Sequence, residues 1–277
     1  MIKHQSTKTL KTKPNDNSAN AIAPNLIYGC FGGCLDSYCY MARHNGSRVF
    51  VNHNVEEIFT SVARWAETYR KVPDQQDPHW MMVDIACNSD LVLMQRHIPG
   101  GLRSYLKMYD DHPTVNSTMA TKYPGLLTLD VRDFNKPPRV RVSLMPQVYS
   151  DVLEPKMQDI MSRIRDINRL MNLGWEVHIN YSPVVVADNW GEEYLNLFHK
   201  VQLHSKPTKC EVIFMTNHEK QMAKATDKVK SLMKYAYELK DNRGVMRYPI
   251  ENKREYVRWF KQAYSDFWPV NTIRYIF

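Results

Sequence analysis

Apolar residues along the chain alternate between short continuous runs and a wider helical spacing. Runs of about four to eight residues are typical of buried strands, and the wider spacing is typical of amphipathic helices. Val55, Ile58 and Val62 follow the helical spacing, with Asn54 in the N-cap position. The predicted helices are Val55–Glu67, Gly100–Tyr109, Lys156–Leu173, Glu219–Tyr237 and Asn252–Phe267. The predicted strands are Leu26–Tyr28, His79–Ala86, Val115–Ala120, Arg139–Leu144, Trp175–Tyr181 and Cys210–Met215.

Strands and helices alternate about six times along the chain, which favours parallel βαβ units that close towards a barrel. In such barrels, ligands bind at the carboxyl ends of the strands. Four residues with reactive or polar side chains, Cys30, Cys87, Lys122 and Ser143, lie at or just beyond a predicted strand end. We therefore expect these side chains to face one shared cavity.

The net charge of the chain is +8, from 37 Lys and Arg against 29 Asp and Glu. Such a surplus favours a polyanionic partner, although it also serves solubility. No apolar run approaches the ~20 residues of a membrane helix, so we expect no membrane contact. Residues 1–24 carry scattered lysines without apolar periodicity and are predicted to be a disordered basic arm.

Three of the five cysteines, Cys30, Cys34 and Cys39, fall within ten residues. Thiolates this close repel one another unless a positive group neutralises them, which suggests an iron–sulfur cluster, a zinc ion or disulfides. Sparse cysteines and the lack of a recognisable signal peptide argue against a disulfide framework and favour a reducing, cytoplasmic location. His44 follows Cys39 closely enough to complete a Cys3His zinc set. The cysteines alone leave the cluster and zinc both open.

The cysteines stand in the pattern Asn25-Leu-Ile-Tyr-Gly29-Cys30, then Cys34, then Tyr38-Cys39-Tyr40. This pattern resembles the cluster loop of radical S-adenosylmethionine enzymes, and most closely that of the spore photoproduct lyase family. The loop departs from the family pattern in having four residues, two more than usual, between Cys34 and Cys39. Further stretches agree in the expected order: Ala86-Cys87-Asn88-Ser89-Asp90, Ala120-Thr121-Lys122, Arg139-Val-Arg-Val-Ser143, Leu153-Glu154-Pro155 and Gly174 to Pro183.

The resemblance implies an α/β fold, a partial (β/α)6 barrel of the TIM type, over residues 25–240. Residues 241–277 are then a C-terminal extension that closes the site. The three cysteines are implied to bind a [4Fe–4S] cluster, which leaves one iron free for S-adenosylmethionine. In the family's reaction, an electron from the reduced cluster cleaves S-adenosylmethionine, and the resulting 5′-deoxyadenosyl radical abstracts hydrogen from the substrate.

Three polar residues match family positions that contact S-adenosylmethionine: Ser89, Lys122 and Ser143. Hydroxyl groups and an ammonium group suit its ribose and its carboxylate. The alternative is that both serines cap strand ends and that Lys122 is a solvated surface residue.

Cys87 matches the family cysteine that gives a hydrogen atom to the product radical, and Tyr38 and Tyr40 match tyrosines that relay the radical. The alternative for Cys87 is a small buried core residue, and for the tyrosines it is aromatic packing around the cluster. Cys210 lies in an apolar run and matches no family role, so we expect it in the core.

The C-terminal segment interleaves basic and aromatic residues, among them Arg247, Tyr248 and Tyr275. Such a segment can hold phosphates and stack on bases. The family uses a hairpin in this region to enter damaged duplex DNA, and these three residues are the expected DNA contacts. An ordinary amphipathic helix explains much of the same pattern.

We therefore expect a radical S-adenosylmethionine enzyme that repairs a thymine-derived lesion in DNA and depends on a reducing electron donor such as flavodoxin or ferredoxin. Two alternatives remain open at this point. One is rearrangement of a hypermodified thymine, or modification of a peptide, by the same radical chemistry. The other is a zinc-bearing nucleic-acid-binding protein without enzymatic activity.

Overall fold

The computed structural model describes residues 2–3, 10–15, 17–39, 42, 44, 48–69, 77–204, 209–240 and 242–277. Its strands are β1 (Ile2–Lys3), β2 (Lys13–Pro14), β3 (Ala21–Ile22), β4 (Ile27–Tyr28), β5 (Phe50–Asn52), β6 (Met81–Asp84), β7 (Val115–Thr121), β8 (Arg139–Leu144), β9 (Val177–Val184), β10 (Lys209–Phe214), β11 (Asn217–His218), β12 (Glu238–Leu239), β13 (Val245–Arg247) and β14 (Ile273–Ile276). Its α-helices are α1 (Val55–Thr68), α2 (Gly101–Asp110), α3 (Gln147–Leu153), α4 (Ile160–Asn172), α5 (Trp190–His204), α6 (Glu219–Lys224), α7 (Asp227–Met233) and α8 (Ile250–Ser265).

One sheet of eight strands forms the body of the molecule, in the order β14-β10-β9-β8-β7-β6-β3-β2. In this order, every neighbouring pair from β14 across to β3 is parallel. Only the edge strand β2 is antiparallel to its neighbour, β3. The central strand β8 is buried along its whole length, because helices cover one face and side chains fill the curled interior. The predicted partial barrel is confirmed, with two strands more than the sequence pattern indicates.

The first strand of the barrel lies earlier in the chain than predicted. Ala21 and Ile22 pair in parallel with β6, and the Asn20 carboxamide accepts a hydrogen bond from the Met82 amide at 2.8 Å. Ala19, Asn20 and Ala21 are fully buried. Part of the segment predicted as a disordered arm is therefore ordered in the barrel. The strand predicted there instead, β4, pairs with β5 in a small separate sheet.

Two predicted helices differ from the observed ones because capping side chains end or start a helix inside the periodic pattern. Asp159 caps α4 by accepting a hydrogen bond from the Ser162 amide at 2.8 Å, so the helix begins at Ile160 rather than Lys156. Thr226 caps α7 in the same way and divides the helix predicted over Glu219–Tyr237 into two. Helices α3 and α5 are absent from the sequence prediction.

The lower interior of the barrel holds charged side chains that form ion pairs with one another. Arg141 of β8 lies 2.8 Å from the Asp84 carboxylate and 3.4 Å from the Glu211 carboxylate. Arg274 of β14 pairs with Glu211 at 3.0 Å. These four residues, the floor network, tie β6, β8, β10 and β14 together across the barrel. Among the described residues, no helix is both long enough and apolar enough to cross a membrane.

Candidate active site at the barrel mouth

A cavity of about 640 Å³, including its open mouth, lies at the carboxyl ends of β6, β7 and β8. Seven residues that the sequence analysis selects line it together: Cys30, Cys34, Cys39, Cys87, Ser89, Lys122 and Ser143. The expectation of one shared cavity is thus met by the geometry.

The segment that follows β6 holds the start of the cysteine loop. The Gly29 amide donates to the Asn88 carbonyl at 3.0 Å, and the Ser89 hydroxyl donates to the Gly29 carbonyl at 2.8 Å. The Asn88 carboxamide also donates to the Asn25 side chain at 2.9 Å. Cys30 is therefore fixed relative to the strand end that carries Cys87. In this structure the Ser89 hydroxyl contributes to that clamp.

Two glycines between Cys30 and Cys34 let the loop lie directly on the segment between α3 and α4. A Cβ atom at Gly32 would overlap the Met157 side chain, and one at Gly33 would overlap the Lys156 side chain. The Leu35 amide, one residue past the second cysteine, donates to the Leu153 carbonyl at 2.9 Å. The loop is thus seated against the end of α3 and the segment after it, and at Gly33 the approach of the Lys156 Cβ leaves room only for glycine.

Lys122, at the end of β7, lies at the centre of a buried network beneath the cysteines. Its ammonium group pairs with the Glu154 carboxylate and donates to the Tyr38 hydroxyl at 2.8 Å. It also lies 3.6 Å from the Cys34 sulfur. The Tyr38 hydroxyl donates to Glu154 at 2.7 Å, and Arg163 of α4 pairs with the other Glu154 oxygen at 2.8 Å. We call Tyr38, Lys122, Glu154 and Arg163 the mouth network.

Neighbouring charged groups, rather than contact with solvent, keep Glu154 and Lys122 of this network charged. Burial alone would raise the pKa of Glu154, but Lys122 and Arg163 lower that pKa to about 2. Burial alone would lower the pKa of Lys122, but Cys34 and Glu154 outweigh it and raise the pKa. Both groups are therefore charged at neutral pH, and Lys122 presents a positive charge to the thiols.

The thiols lie close enough to influence one another's protonation. Burial raises the pKa of Cys30, and a hydrogen bond with Cys39, followed by burial, raises the pKa of Cys34. A bound cation takes the place of such protons, because only thiolates ligate metals. Across the described chain, no three His, Cys, Asp or Glu side chains converge as ligands of one ion would. The three thiols line one cavity, and three thiolates can hold a cluster by binding three separate irons.

Cys87 also lines the cavity, three residues beyond the end of β6. Its side chain is exposed to the cavity. The protein atoms around the thiol nevertheless shift its pKa. Burial, and then the Asp84 carboxylate, raise the pKa of the Cys87 thiol to about 11. At neutral pH the group therefore keeps its S–H bond.

Asp90 aligns two of the strand ends that form the cavity. Its carboxylate accepts from the Thr121 hydroxyl at 2.9 Å and from the Lys122 amide at 2.8 Å. It also accepts a hydrogen bond at 3.1 Å from the Leu93 amide, which lies in the same segment after β6. The segment carrying Cys87 and Ser89 is thus held in register with the strand end carrying Lys122.

Other predicted site residues lie away from the cavity. Tyr38 contributes to the mouth network behind the cavity wall. Tyr40 lies outside the described residues. His44 is exposed, and Cys210 is buried in β10, as expected for a core residue.

The predicted DNA contacts of the C-terminal segment are turned towards the protein. Tyr248 is fully buried, and its hydroxyl accepts a hydrogen bond from the Val186 amide at 2.8 Å. Tyr275 donates to Glu211 of the floor network at 3.1 Å, and Arg247 pairs with Glu238 at 3.3 Å. In this structure Tyr248 has no surface with which to stack on a base, so that prediction is wrong. Tyr275 and Arg247 are engaged within the fold.

Sequence reasoning assigned no role to Glu154, Arg163 or Asp90. Glu154 and Asp90 belong to the quoted stretches, so the available signal was a carboxylate beside a predicted strand end or helix start. Arg163 falls on a predicted helix, where nothing in the pattern distinguishes a buried arginine from a solvated one.

Comparison with known proteins adds independent findings. A family model described as spore photoproduct lyase matches residues 5–264. The chain is 24% identical over 258 residues to a spore photoproduct lyase of Clostridium acetobutylicum, across 85% of this chain and 73% of the relative. It is 26% identical over 196 residues to the Bacillus subtilis spore photoproduct lyase, across 70% of this chain and 54% of the relative.

Solved structures show the same fold. A spore photoproduct lyase complexed with dinucleoside spore photoproduct superposes with a TM-score of 0.78 at 19% identity, over 100% of this chain and 82% of that one. A variant of such a lyase with bound AdoMet and dinucleoside spore photoproduct also gives a TM-score of 0.78, at 18% identity and with the same coverage.

Proposed function

The chain belongs to the spore photoproduct lyase family of radical S-adenosylmethionine enzymes, and on that premise we propose that it cleaves 5-thyminyl-5,6-dihydrothymine in DNA to restore two thymines. The observation that carries this proposal is the convergence of Cys30, Cys34 and Cys39 with Cys87 in one cavity. Three thiols suit a [4Fe–4S] cluster, and a fourth thiol in the same cavity suits hydrogen transfer to a substrate bound there.

The cofactors of this family are a [4Fe–4S] cluster and S-adenosylmethionine, and the residues present fit both. Cys30, Cys34 and Cys39 would hold the cluster, and Lys122 would balance the negative charge of the thiolates. Ser89 and Ser143 would border the S-adenosylmethionine. When bound, the two cofactors supply the one-electron chemistry that removes a hydrogen atom from the substrate.

Cys87 would complete the reaction after the bond between the two thymines has broken. A hydrogen atom passes from its sulfur to the carbon radical of the product, so one S–H bond breaks, one C–H bond forms, and a thiyl radical remains on Cys87. The raised pKa of Cys87 supports this role, because a thiolate has no hydrogen atom to give. Radical return through Tyr38 and Tyr40 stays a prediction.

The DNA partner would lie across the mouth of the barrel, because a lesion must leave the base stack to reach the cavity. The C-terminal rim of the mouth supports this orientation. The ammonium groups of Lys240 and Lys253 lie 5.6 Å and 4.9 Å from the centre of the Phe277 ring, which follows β14. Two cations beside a half-exposed ring suit phosphate and base contacts better than the buried Tyr248.

The reaction also needs an electron donor of low potential, and we propose flavodoxin or ferredoxin in the cytoplasm. Among the described cysteines all five are free thiols, which agrees with a reducing compartment.

The decisive experiment uses anaerobically reconstituted protein, reductant, S-adenosylmethionine and dinucleoside spore photoproduct. We expect about four irons per chain, formation of 5′-deoxyadenosine and release of thymines. In D2O the thiol of Cys87 exchanges, so the released thymine should carry deuterium in the wild type and lose that label in Cys87→Ala. Stoichiometric zinc without iron would sink the radical proposal. Deoxyadenosine without thymine release would redirect the search to another substrate.

A further inference from the structure

Phe31 directly follows the first cysteine and points away from the protein. It exposes 62% of its surface, and among the described large hydrophobic residues only Leu203 exposes a larger fraction. Its ring packs edge-on against the exposed His97 at a centroid distance of 5.4 Å. An exposed ring between two cluster ligands has no core to fill, so its exposure needs another reason.

The surface around Phe31 continues onto two neighbouring turns. The Gln95 side chain donates to the Leu126 carbonyl at 2.8 Å and so joins the turn that carries His97 to the turn after β7. Leu126 is 43% exposed on that second turn. On the other side of the cysteine loop, exposed Lys156 lies beneath Gly33. We call Phe31, Arg96, His97, Leu126 and Lys156 the Phe31 surface.

The charge of this surface is positive. Arg96 and Lys156 are exposed and form no ion pair with any described residue. The other cation nearby, Arg103, is neutralised by Asp133 at 2.8 Å. The exposed acid of the cysteine loop itself is Asp36. Two exposed apolar side chains, with two unpaired cations against one exposed acid, match an acidic protein partner.

The position of the surface identifies what such a partner would do. The cavity faces the inner side of the cysteine loop, where S-adenosylmethionine and substrate belong under the proposed function. Phe31 does not line that cavity and is exposed, although it directly follows Cys30, which would ligate the cluster. An electron that enters from outside without crossing the substrate space would enter here.

We propose, resting on the proposed function, that the Phe31 surface is the docking site of an acidic one-electron carrier protein of the flavodoxin or ferredoxin type. Small, weak interfaces are usual for such encounters, and surface cations accelerate them by steering the acidic partner. DNA is the other polyanion in the system. The exposed apolar pair, Phe31 and Leu126, favours the protein partner.

The test compares electron delivery by a reduced flavodoxin with delivery by dithionite, which needs no docking site. Two variants alter the surface, Arg96→Glu and Phe31→Ser. The control, Arg258→Glu, makes the same charge change as Arg96→Glu on the exposed face of α8. We expect Arg96→Glu to slow cluster reduction by flavodoxin about tenfold or more and to leave reduction by dithionite unchanged. Arg258→Glu should leave both rates unchanged.

A binding measurement decides the question without cluster activity. Titration of the purified chain with flavodoxin should show weaker binding for both surface variants, and binding should weaken with salt. Unchanged flavodoxin binding in both variants would overturn the proposal, as would a loss confined to duplex DNA binding. If the protein held no iron, the proposed function would fail while the binding titration still decided the docking site.

Discussion

The barrel interior contains two buried networks of charge, one at the floor and one at the mouth, and they are balanced differently. The floor network joins two arginines, Arg141 and Arg274, to two carboxylates, Asp84 and Glu211. The mouth network joins two cations, Lys122 and Arg163, to the single carboxylate of Glu154. The floor is therefore neutral by itself, whereas the mouth has a surplus positive charge.

The difference shows which network serves the fold and which serves the site. Buried charges are costly unless they are paired, so a neutral floor is complete without any ligand. The surplus at the mouth lies 3.6 Å from the Cys34 sulfur, where thiolates would bring negative charge. The surplus cation of the mouth network thus suits the negative charge that thiolates bound to a metal cluster would bring.

The networks also differ in the elements that they connect. Floor residues all come from strands of one sheet, β6, β8, β10 and β14, so they link elements that the sheet already joins. Mouth residues come from the cysteine loop, the end of β7, the segment after α3 and helix α4. Glu154 is the point at which these elements meet.

The largest expected loss of stability comes from replacing Glu154. In Glu154→Gln, Lys122 and Arg163 remain buried without a carboxylate, and we expect a loss of about 3–5 kcal/mol of unfolding free energy. Urea denaturation of the iron-free protein at pH 7 measures it. Asp151→Asn makes the same chemical change on the exposed face of α3 and should cost within about 0.5 kcal/mol.

A smaller effect is expected from the corresponding change at the floor. In Glu211→Gln, Arg141 keeps its 2.8 Å pair with Asp84, and only Arg274 loses its carboxylate partner in this network. We expect a loss of about 1–3 kcal/mol in the same urea experiment, with iron incorporation retained in the folded fraction. If Glu211→Gln lost more unfolding free energy than Glu154→Gln, the remaining pair between Arg141 and Asp84 would not protect the floor network.

Mild acid should lower stability through His178, which lies outside both networks, before it affects the mouth network. His178 lies on β9 beside Glu176 and Arg139, and burial lowers its pKa to about 4, from about 6.5 in an unfolded chain. Between those values the unfolded state binds the proton more strongly, so stability falls as pH falls. We expect a loss of about 1–2 kcal/mol between pH 7 and pH 5.

His178→Gln provides the control for this pH dependence, because its unfolding free energy should change little over the same interval. The pKa of Glu154 is lowered to about 2, so the mouth contribution is lost only below about pH 4.5. A pH slope that persists in His178→Gln would assign the acid sensitivity to another group.

The same contrast explains how much of the molecule could be predicted from its sequence. Strand ends are visible as apolar runs that stop at Cys87, Lys122 and Ser143, and parallel topology then brings them together. Arg141 of the floor network is visible only as a residue that interrupts the apolar pattern of β8, and the sequence cannot show that it turns inward to meet two carboxylates.

Two differences between prediction and structure, the missed strand β3 and the burial of Tyr248, have separate physical causes. Strand β3 is two residues long, too short for any periodicity, and it is held by the Asn20 carboxamide and by pairing to β6. Tyr248 sits among basic and aromatic residues in sequence, but its hydroxyl reaches the Val186 amide and draws the ring into the core. Local composition reports neither long-range contact.

The smallest expected effect separates the two roles open to Tyr38. Tyr38→Phe removes one donor to Glu154 and one acceptor for Lys122, while the ion pairs of the mouth network remain. We expect a loss of about 0.5–1.5 kcal/mol in urea denaturation and no change in the ratio of deoxyadenosine formed to thymine released. That result would make Tyr38 a positioning residue that ties the third cysteine to the barrel. A clear rise in the ratio would instead mean that radicals left on Cys87 return through this phenol.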